Sequence, residues 1–326
     1  MAVFGKKKRK LTPDEHTGFG TNPDNYGGRF VNKDGSANVV KSGLPFLDQI
    51  SWFHMLLQLP MWKLHIVILS VFILINFLFG GIYYIIGIEH LSGISDTTSE
   101  FEKFAQAFFF SAQTYTTVGY GHISPKGFLA SSVAAIEALS GLLSFALATG
   151  LLYGRFSMPK AYLKFSENAL IAPFGDGSAL MMRVAPFKNT TLTDASAKLT
   201  LGLQIEENGK KVNKFYQLDL EYDRVNFLPL SWTLVHPINE NSPLWGFDKK
   251  DFKNKKGEVL VFVKAFDDMF SNTVVKRTSY SFKEIIYGAR FSPMYEHSAD
   301  SQTTILHIDK LNKTEKINLN LNQDSF

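Results

Sequence analysis

The sequence predicts a membrane α-helical domain with two spans, followed by an all-β domain. Two apolar segments, residues 63–86 and 128–156, each reach the roughly 20 residues that cross a bilayer. After residue 161 there is no further span, and short β-branched runs alternate with turn residues. We therefore expect an N-terminal arm (residues 1–44), a helical membrane domain (45–158) and a β-sandwich (159–326).

Composition excludes several functions. The chain has no cysteine, which rules out disulfide scaffolds, thiolate metal sites and thiol nucleophiles. Its net charge of +4 is too small to indicate nucleic-acid binding. The basic run at residues 6–10 is not followed by an apolar stretch, so it is not a secretory signal. We interpret it as a solvated tail on the cytoplasmic side.

The segments before the first span differ in pattern. Residues 1–44 are rich in Gly, Asn, Asp and Lys and show no helical period, which predicts an extended or disordered arm. Residues 46–59 space apolar side chains three to four apart between two prolines, which predicts a short amphipathic helix at the membrane surface. The alternative, a soluble core helix, fits less well directly before a span.

The first span carries interface signals and one polar residue. Lys63 beside Trp62 marks the inner interface, and Tyr83 with Tyr84 the outer one, as in an aromatic belt. Asn76 lies mid-span, where a hydrogen bond between helices is the usual role. Residues 101–115 are apolar but too short to cross a bilayer, which predicts a re-entrant helix.

The stretch that follows, Thr116-Thr117-Val118-Gly119-Tyr120-Gly121, contains the loop known from potassium-selective filters. A row of carbonyl oxygens can replace the water shell of K⁺, so residues 117–120 are candidate ligands for the transported ion. Aiming these carbonyls at one axis requires positive φ values, which glycine adopts without steric cost. A single loop lines only one side of an ion pathway, so several copies of the chain are required, and potassium channels use four.

The second span contains one acidic residue and a row of residues, four apart in sequence, that slants around the helix. Steps of four residues drift by about 40° on an α-helix, which puts Phe145, Thr149 and Tyr153 on one stripe that ends at the inner mouth. Glu137 lies two steps earlier, and two roles stay open for it: hydrogen bonding behind the filter, or facing the cavity as a cation site. At Tyr153 we favour a gate over lipid or helix packing, because aromatic rings can close a narrow pore by dewetting.

Cations flank both spans. Lys63 precedes the first span, and Arg155, Lys160 and Lys164 come at and after the end of the second. This bias predicts that both termini are cytoplasmic, and the same residues are candidates for binding anionic lipid head groups.

The remaining sequence predicts strands at residues 179–184, 198–205, 215–220, 230–236, 259–266, 273–282 and 285–291. This spacing is typical of an all-β sandwich. Glu206, Glu207, Asp267 and Asp268 are acids that could line a cytoplasmic cation pathway, although solvated turn charges are the better interpretation for at least half of them.

Several blocks resemble one family, the prokaryotic inward-rectifier potassium channels. They are residues 107–121 (AFFFSAQTYTTVGYG), 165–169 (FSENA), 181–184 (MMRV), 231–245 (SWTLVHPINENSPLW) and 279–287 (SYSFKEIIY). The resemblance implies a homotetramer in the cell inner (plasma) membrane, with slide, outer, pore and inner helices and immunoglobulin-like cytoplasmic domains. It implies constrictions at Phe145, Tyr153 and Met269 and a voltage-gated channel, and it implies neither an enzyme nor a protein partner.

The chain also departs from that pattern. Gln113 stands where many relatives carry a glutamate that supports the filter, and Phe145 stands where strong rectifiers carry an acid. Strong rectification is therefore not expected. Two other classes fit less well: a two-span channel with a nucleotide-binding domain would need a GxGxxG turn, and a membrane-anchored β-domain enzyme would leave the filter sequence unexplained.

Overall fold

The computed structural model describes residues 13, 29–43, 45, 51–95, 99–207, 209–298 and 302–319. The chain divides into two compact units. The helical unit is Ser42–Met158, and the β unit joins the chain up to Lys41 with Pro159–Phe326.

Within the described residues, the helical unit contains four α-helices: α1 (Trp52–Gln58), α2 (Met61–Ile86), α3 (Glu100–Tyr115) and α4 (Phe128–Phe156). Helices α2 and α4 are long and apolar enough to cross a membrane. The predicted surface helix is present as α1 in its described part, and residues 46–50 lie outside the described residues. The re-entrant segment is helical as predicted and begins one residue earlier.

Local chemistry sets the helix boundaries. Pro60 precedes α2, where its missing N–H costs no hydrogen bond, and Gly87 ends the helix at a φ of 112°. The hydroxyl of Ser99 accepts a hydrogen bond from the Glu102 backbone N–H at the start of α3. Two short strands, β1 (Leu91–Ser92) and β2 (Ser124–Pro125), pair antiparallel and join the ends of the segment that contains α3.

Glycines allow the three long helices to approach closely. A Cβ atom on Gly80 of α2 would lie 3.0 Å from the Phe108 Cα atom of α3. A Cβ atom on Gly141 of α4 would lie 1.9 Å from the backbone oxygen of Tyr115, at the end of α3. The end of α3 is therefore positioned by direct backbone contact with α4.

The β unit contains fourteen strands within the described residues. They are β3 (Leu163–Phe165), β4 (Ala169–Phe174), β5 (Gly177–Pro186), β6 (Leu192–Glu207), β7 (Lys210–Leu218), β8 (Arg224–Phe227), β9 (Trp232–Ile238), β10 (Gly257–Asp267), β11 (Asn272–Ser281), β12 (Ile285–Tyr287), β13 (Ala289–Phe291), β14 (Tyr295–His297), β15 (Thr304–Leu306) and β16 (Thr314–Lys316).

Most of these strands form two five-stranded sheets. One has the order β11-β10-β6-β7, with β8 also paired to β6, and the other has the order β12-β4-β5-β3, with β9 also paired to β5. Side chains from both sheets, such as Leu180 and Met182 from β5 with Leu199 and Val261 from the other sheet, are buried in one core cluster. The predicted all-β sandwich is confirmed.

Two features of the β unit differ from the predicted strand pattern. The run at 285–291 is broken at Gly288, whose φ of 76° separates β12 from β13. A short helix, α5 (Lys249–Asn254), begins with a capping box between Asp248 and Asp251. Hydrophobic periodicity could predict neither feature, because the break at Gly288 depends on a backbone angle and the helix α5 depends on its cap.

The described part of the N-terminal arm packs on the β unit. Val31 and Ala37 form an antiparallel bridge that closes a tight hairpin, and the Phe30 ring is buried edge-on against Phe215 at 5.0 Å. The extended-arm interpretation therefore fails for residues 29–38, because one aromatic side chain and the Glu258 carboxylate, which accepts from the Phe30 N–H at 2.6 Å, anchor them.

One buried histidine lies in the predicted strand that became β9. His236 Nδ1 donates to the Asp219 carbonyl at 2.6 Å, and Nε2 accepts from the Ser242 hydroxyl at 2.8 Å. The Ser242 oxygen in turn accepts from the Leu244 N–H at 3.1 Å. Burial lowers the pKa of His236, partly offset by the hydrogen bond and the charge of Asp219.

Candidate ion-conduction site

The filter loop begins where α3 ends. The backbone oxygen of Gln113 accepts from the N–H groups of Val118 at 3.0 Å and Gly119 at 3.2 Å. The Thr117 N–H donates to the Thr114 oxygen at 3.0 Å. These bonds fold the first loop residues back on the last turn of the helix through the backbone oxygen of Gln113, and its supporting role stays a prediction.

Every second residue of the loop has a positive φ. The values are 60° at Thr117, 52° at Gly119 and 76° at Gly121. The two glycines were predicted to adopt this region, and Thr117 was not. A threonine with positive φ is strained, because its β-branched side chain crowds the backbone there. The alternation is what successive carbonyls require if they are to face one side of the loop.

The outer part of the loop has no cover within the single chain. Val118 is 53% exposed and Tyr120 is 77% exposed. Both are large apolar side chains, which are rarely left bare in a group without a binding function. The loop therefore has a side that no other described residue of the chain covers.

A buried polar cluster joins α2, α3 and α4 behind the loop. Glu137 has no exposed surface, and its carboxylate accepts from the Tyr83 hydroxyl at 2.6 Å and from the Ser111 hydroxyl. The Ser111 oxygen also lies 3.0 Å from the Asn76 amide oxygen. Of the two roles left open for Glu137, this burial does not fit a side chain that faces the cavity, and the role behind the filter stays a prediction.

The cluster also corrects the assignment of Tyr83. An aromatic belt residue would contact the membrane interface, but Tyr83 is only 1% exposed and packs edge-on against Phe110 at 4.9 Å. Its neighbour Tyr84 is partly exposed and fits the belt. Because Tyr83 lies seven residues after Asn76, two helical turns along, the polar residue mid-span was a usable signal for this face.

The stripe on α4 turns outward along the helix. Glu137 and Gly141 are buried, whereas Phe145, Thr149 and Tyr153 are exposed, with 73% exposure at both aromatic residues. This follows the drift predicted for steps of four residues. The C-terminal half of α4 therefore has both candidate gate residues exposed in the single chain.

Thr117 and Phe145 border the same cleft. It has a volume of about 670 Å³ and lies between α2, α4 and the end of α3. Its walls are mainly aliphatic, with Tyr115 and Thr116 at the filter end. The structure thus brings the base of the filter loop and one candidate constriction residue to one apolar space.

The turn between β10 and β11 contains the third candidate constriction residue. Met269 is 74% exposed. Asp267 was predicted to line an ion pathway, but its side chain is fully buried, and it accepts from the N–H groups of Met269 at 3.0 Å and Phe270 at 3.4 Å. That prediction is wrong, because the carboxylate holds the turn instead of facing solvent.

Two of the other candidate acids are exposed. Asp268 accepts from the Thr193 hydroxyl at 2.8 Å. Glu206 lies near the end of β6, opposite Lys211 of β7 in the strand register. Both remain available to solvent ions, and neither is brought close to a second acid in a cluster of metal-binding type among the described residues.

The candidate lipid-binding cations belong to separate units. In the helical unit, the Lys63 ammonium lies 5.3 Å from the Trp62 ring, and Arg155 Nη1 is buried with no hydrogen-bond partner among the described residues. In the β unit, Lys160 is exposed and the Lys164 ammonium lies 5.3 Å from the Phe187 ring.

Two models of known protein families match the chain. A model of the inward rectifier potassium channel C-terminal domain matches residues 163–324, and an ion channel model matches residues 71–157. The inward rectifier potassium channel Kirbac3.1 of Paramagnetospirillum magnetotacticum is 33% identical over 285 residues, which are 85% of this chain and 92% of that relative. The ATP-sensitive inward rectifier potassium channel 12 of Gallus gallus is 27% identical, over 86% of this chain and 71% of that relative.

Among solved structures, the Bacillus subtilis sporulation control protein Spo0M covers 41% of this chain and 58% of its own at 12% identity. Its TM-score of 0.22 is too low to bear on the fold.

These matches also correct one expectation. They are to inward rectifiers, which are ion channels and not enzymes, and the expected voltage gating is not supported. A voltage sensor requires a row of arginines within a span. Helix α2 contains no arginine and α4 contains Arg155 alone. The chain belongs to the inward rectifier potassium channel family.

Proposed function

We propose that four copies of this chain form a potassium-selective channel in which the carbonyl groups of Thr117, Val118, Gly119 and Tyr120 bind the ion. The observation that carries the proposal is the alternation of positive φ values at residues 117, 119 and 121, in a loop held between two potential spans. The relatives that match most of the chain are named as potassium channels.

The exposure of the loop supports assembly as a homotetramer. One chain leaves the Val118 and Tyr120 side chains bare, although an aromatic ring at membrane depth needs a packing partner or a polar contact. Copies arranged around an axis would cover these side chains and bring the carbonyl rows together. No other protein partner is required by this proposal.

We assign Glu137 the role of supporting the filter from behind. Its carboxylate joins helices that are distant in sequence, through Tyr83 on α2 and Ser111 on α3. Since α3 carries the filter loop at its end, movement of α3 would disturb the loop directly. Gln113 acts from the other side through its backbone oxygen.

We assign gating to constrictions at Phe145, Tyr153 and Met269. All three side chains are more than 70% exposed in the single chain, and each is large enough to narrow an axial pore. Phe145 carries no charge, so block by internal cations is expected to be weak. Asp268 and Glu206 remain candidates for attracting cations to the entrance, and Asp267 does not.

We propose that the termini are cytoplasmic in a bacterial inner membrane and that anionic lipid modulates flux through Lys63, Arg155, Lys160 and Lys164. The support is the bias of cations towards one end of the two spans. Reconstitution with and without phosphatidylglycerol tests this idea in the variants Arg155→Ala and Lys160→Ala. The idea would be refuted if ion flux changed neither with phosphatidylglycerol nor with these substitutions.

The proposal as a whole is tested by rubidium uptake into liposomes. Wild-type protein should take up rubidium but not sodium, and barium should block the uptake. Gly119→Ala should reduce this preference, because alanine at a φ of 52° costs about 1–2 kcal/mol in each subunit. The proposed function would be refuted if the wild type took up both ions equally or if the purified protein were monomeric.

A further inference from the structure

Two adjoining cavities on the β unit have cationic walls. One has a volume of about 280 Å³ and the other about 470 Å³. The cationic residues of the first are Arg29, Lys255, Lys256 and Lys283, and those of the second are Lys249, Lys253 and Lys283. Lys283 therefore borders both cavities.

A single carboxylate lies among the residues that line these cavities, and its oxygens are already engaged. Glu258 is only 4% exposed. One oxygen accepts from the Phe30 N–H at 2.6 Å and the other from the Val31 N–H at 3.2 Å. Glu258 therefore anchors the N-terminal hairpin, and its capacity to neutralise the lysines is largely used.

Two of the six cations have partners of their own. Arg29 pairs with Glu284 at 2.9 Å, and Lys255 pairs with Asp251 at 2.8 Å. Within the part of the chain that the structure describes, Lys249, Lys253, Lys256 and Lys283 have no carboxylate within ion-pair distance. Four ammonium groups without a carboxylate partner leave a positive potential around the neighbouring cavities, which attracts an anion.

The wall between the cavities is rigid. Phe282 borders both of them and is 3% exposed. A Cβ atom on Gly257 would lie 2.3 Å from the Phe282 ring, so the ring packs directly on the Gly257 backbone. The turn Phe282–Glu284 is capped by reciprocal hydrogen bonds between Ser281 and Glu284. These contacts fix the backbone from which Lys283 projects.

We propose that the two cavities form one binding site for a phosphate-bearing polyanion. Several phosphate groups could be held by lysines on both sides of Phe282, whereas one phosphate would reach the lysines of one cavity. Lysine binds phosphate as a point charge and needs no fixed orientation, which suits flexible side chains on an exposed rim. None of these residues belongs to the proposed filter, gate or lipid-binding set.

Binding of tripolyphosphate to the full-length protein in neutral phosphatidylcholine nanodiscs tests the proposal. Lys256→Gln and Lys283→Gln should each weaken binding roughly fivefold, the effect of losing one screened charge contact. Lys264→Gln is the matched control, since Lys264 is an exposed lysine of β10 that lies roughly 20 Å along the strand from Glu258. It should bind as the wild type does.

A second arm identifies the source of the phosphate. The same proteins are mixed with separate vesicles of phosphatidylcholine, with or without phosphatidylglycerol. The site would be assigned to a lipid head group if the wild type binds the anionic vesicles but not tripolyphosphate, and if Lys283→Gln no longer binds these vesicles. The proposal is wrong if the substitutions at Lys256 and Lys283 change neither the binding of tripolyphosphate nor the binding of anionic vesicles. It is also wrong if Lys264→Gln weakens binding as much as they do. Because binding is measured without ion flux, this outcome is independent of the proposed channel function.

Discussion

Substitution of Gly141 by alanine tests the contact that positions the filter helix. The new Cβ atom would lie 1.9 Å from the Tyr115 backbone oxygen, whereas real Cβ contacts under 3.0 Å are essentially never seen. The contact must therefore open by more than about 1 Å, and a backbone carbonyl cannot rotate away as a side chain can. Because Tyr115 ends the helix that leads into the filter, the displacement reaches the Thr117 carbonyl directly.

The expected magnitude follows from two opposing effects. Overpacking a tight site costs about 1–3 kcal/mol, and the rigid partner favours the upper end. Alanine gains about 1 kcal/mol over glycine in a helix. We expect a net loss of about 2 kcal/mol in each subunit, and a fall of about 2–4 °C in melting temperature for each kcal/mol.

Gly150→Ala is the matched control on the same helix. No atom lies within 4 Å of the Cβ position at Gly150, so only the helix-propensity gain applies in the single chain. Thermal denaturation and barium-blocked rubidium uptake are measured for both variants. If Gly141→Ala melts at or above the wild-type temperature and keeps its flux, the inferred contact between α3 and α4 does not position the filter.

Three further predictions concern other parts of the chain. Tyr83→Phe leaves a buried Glu137 oxygen without its hydroxyl donor, so thermal denaturation should reveal a loss of about 1–3 kcal/mol; an equal effect of Tyr84→Phe, at a more exposed site, would contradict this. Phe145→Asp should strengthen block by internal magnesium or polyamine in patch recordings, and unchanged block would reject the position assigned to Phe145. Because burial lowers the pKa of His236, the unfolded chain binds the proton more readily, and the melting temperature should fall as pH drops below the ordinary value of 6.5; the same fall in His236→Asn would exclude this histidine as the cause.

Much of the fold could be predicted because it depends on long hydrophobic patterns. The long apolar runs of α2 and α4 and the alternation of buried and less buried side chains in β10 leave strong signals in the sequence. The slant of the stripe through Phe145 and Tyr153 could also be predicted, since it follows from helix geometry alone. The elements and residue positions that follow from a hydrophobic pattern or from helix geometry were therefore predicted well.

The rest depends on contacts that bring distant residues together. Tyr83 has the sequence context of an interface residue, and only its packing against α3 and α4 makes it a donor to Glu137. Asp267 has the context of a solvated turn acid, but the turn folds over it, and its oxygen accepts two backbone N–H groups. The positive φ of Thr117 could not be predicted, because a β-branched residue rarely adopts that conformation and glycine is the usual residue there.

Binding of K⁺ on a shared axis by the Thr117–Tyr120 carbonyls of four subunits is tested directly by anomalous scattering from crystals of the full-length protein grown with rubidium. We expect a row of rubidium peaks on a fourfold axis, each surrounded by oxygen atoms of residues 117–120. An assembly without a fourfold axis, or rubidium peaks away from these carbonyls, would contradict it.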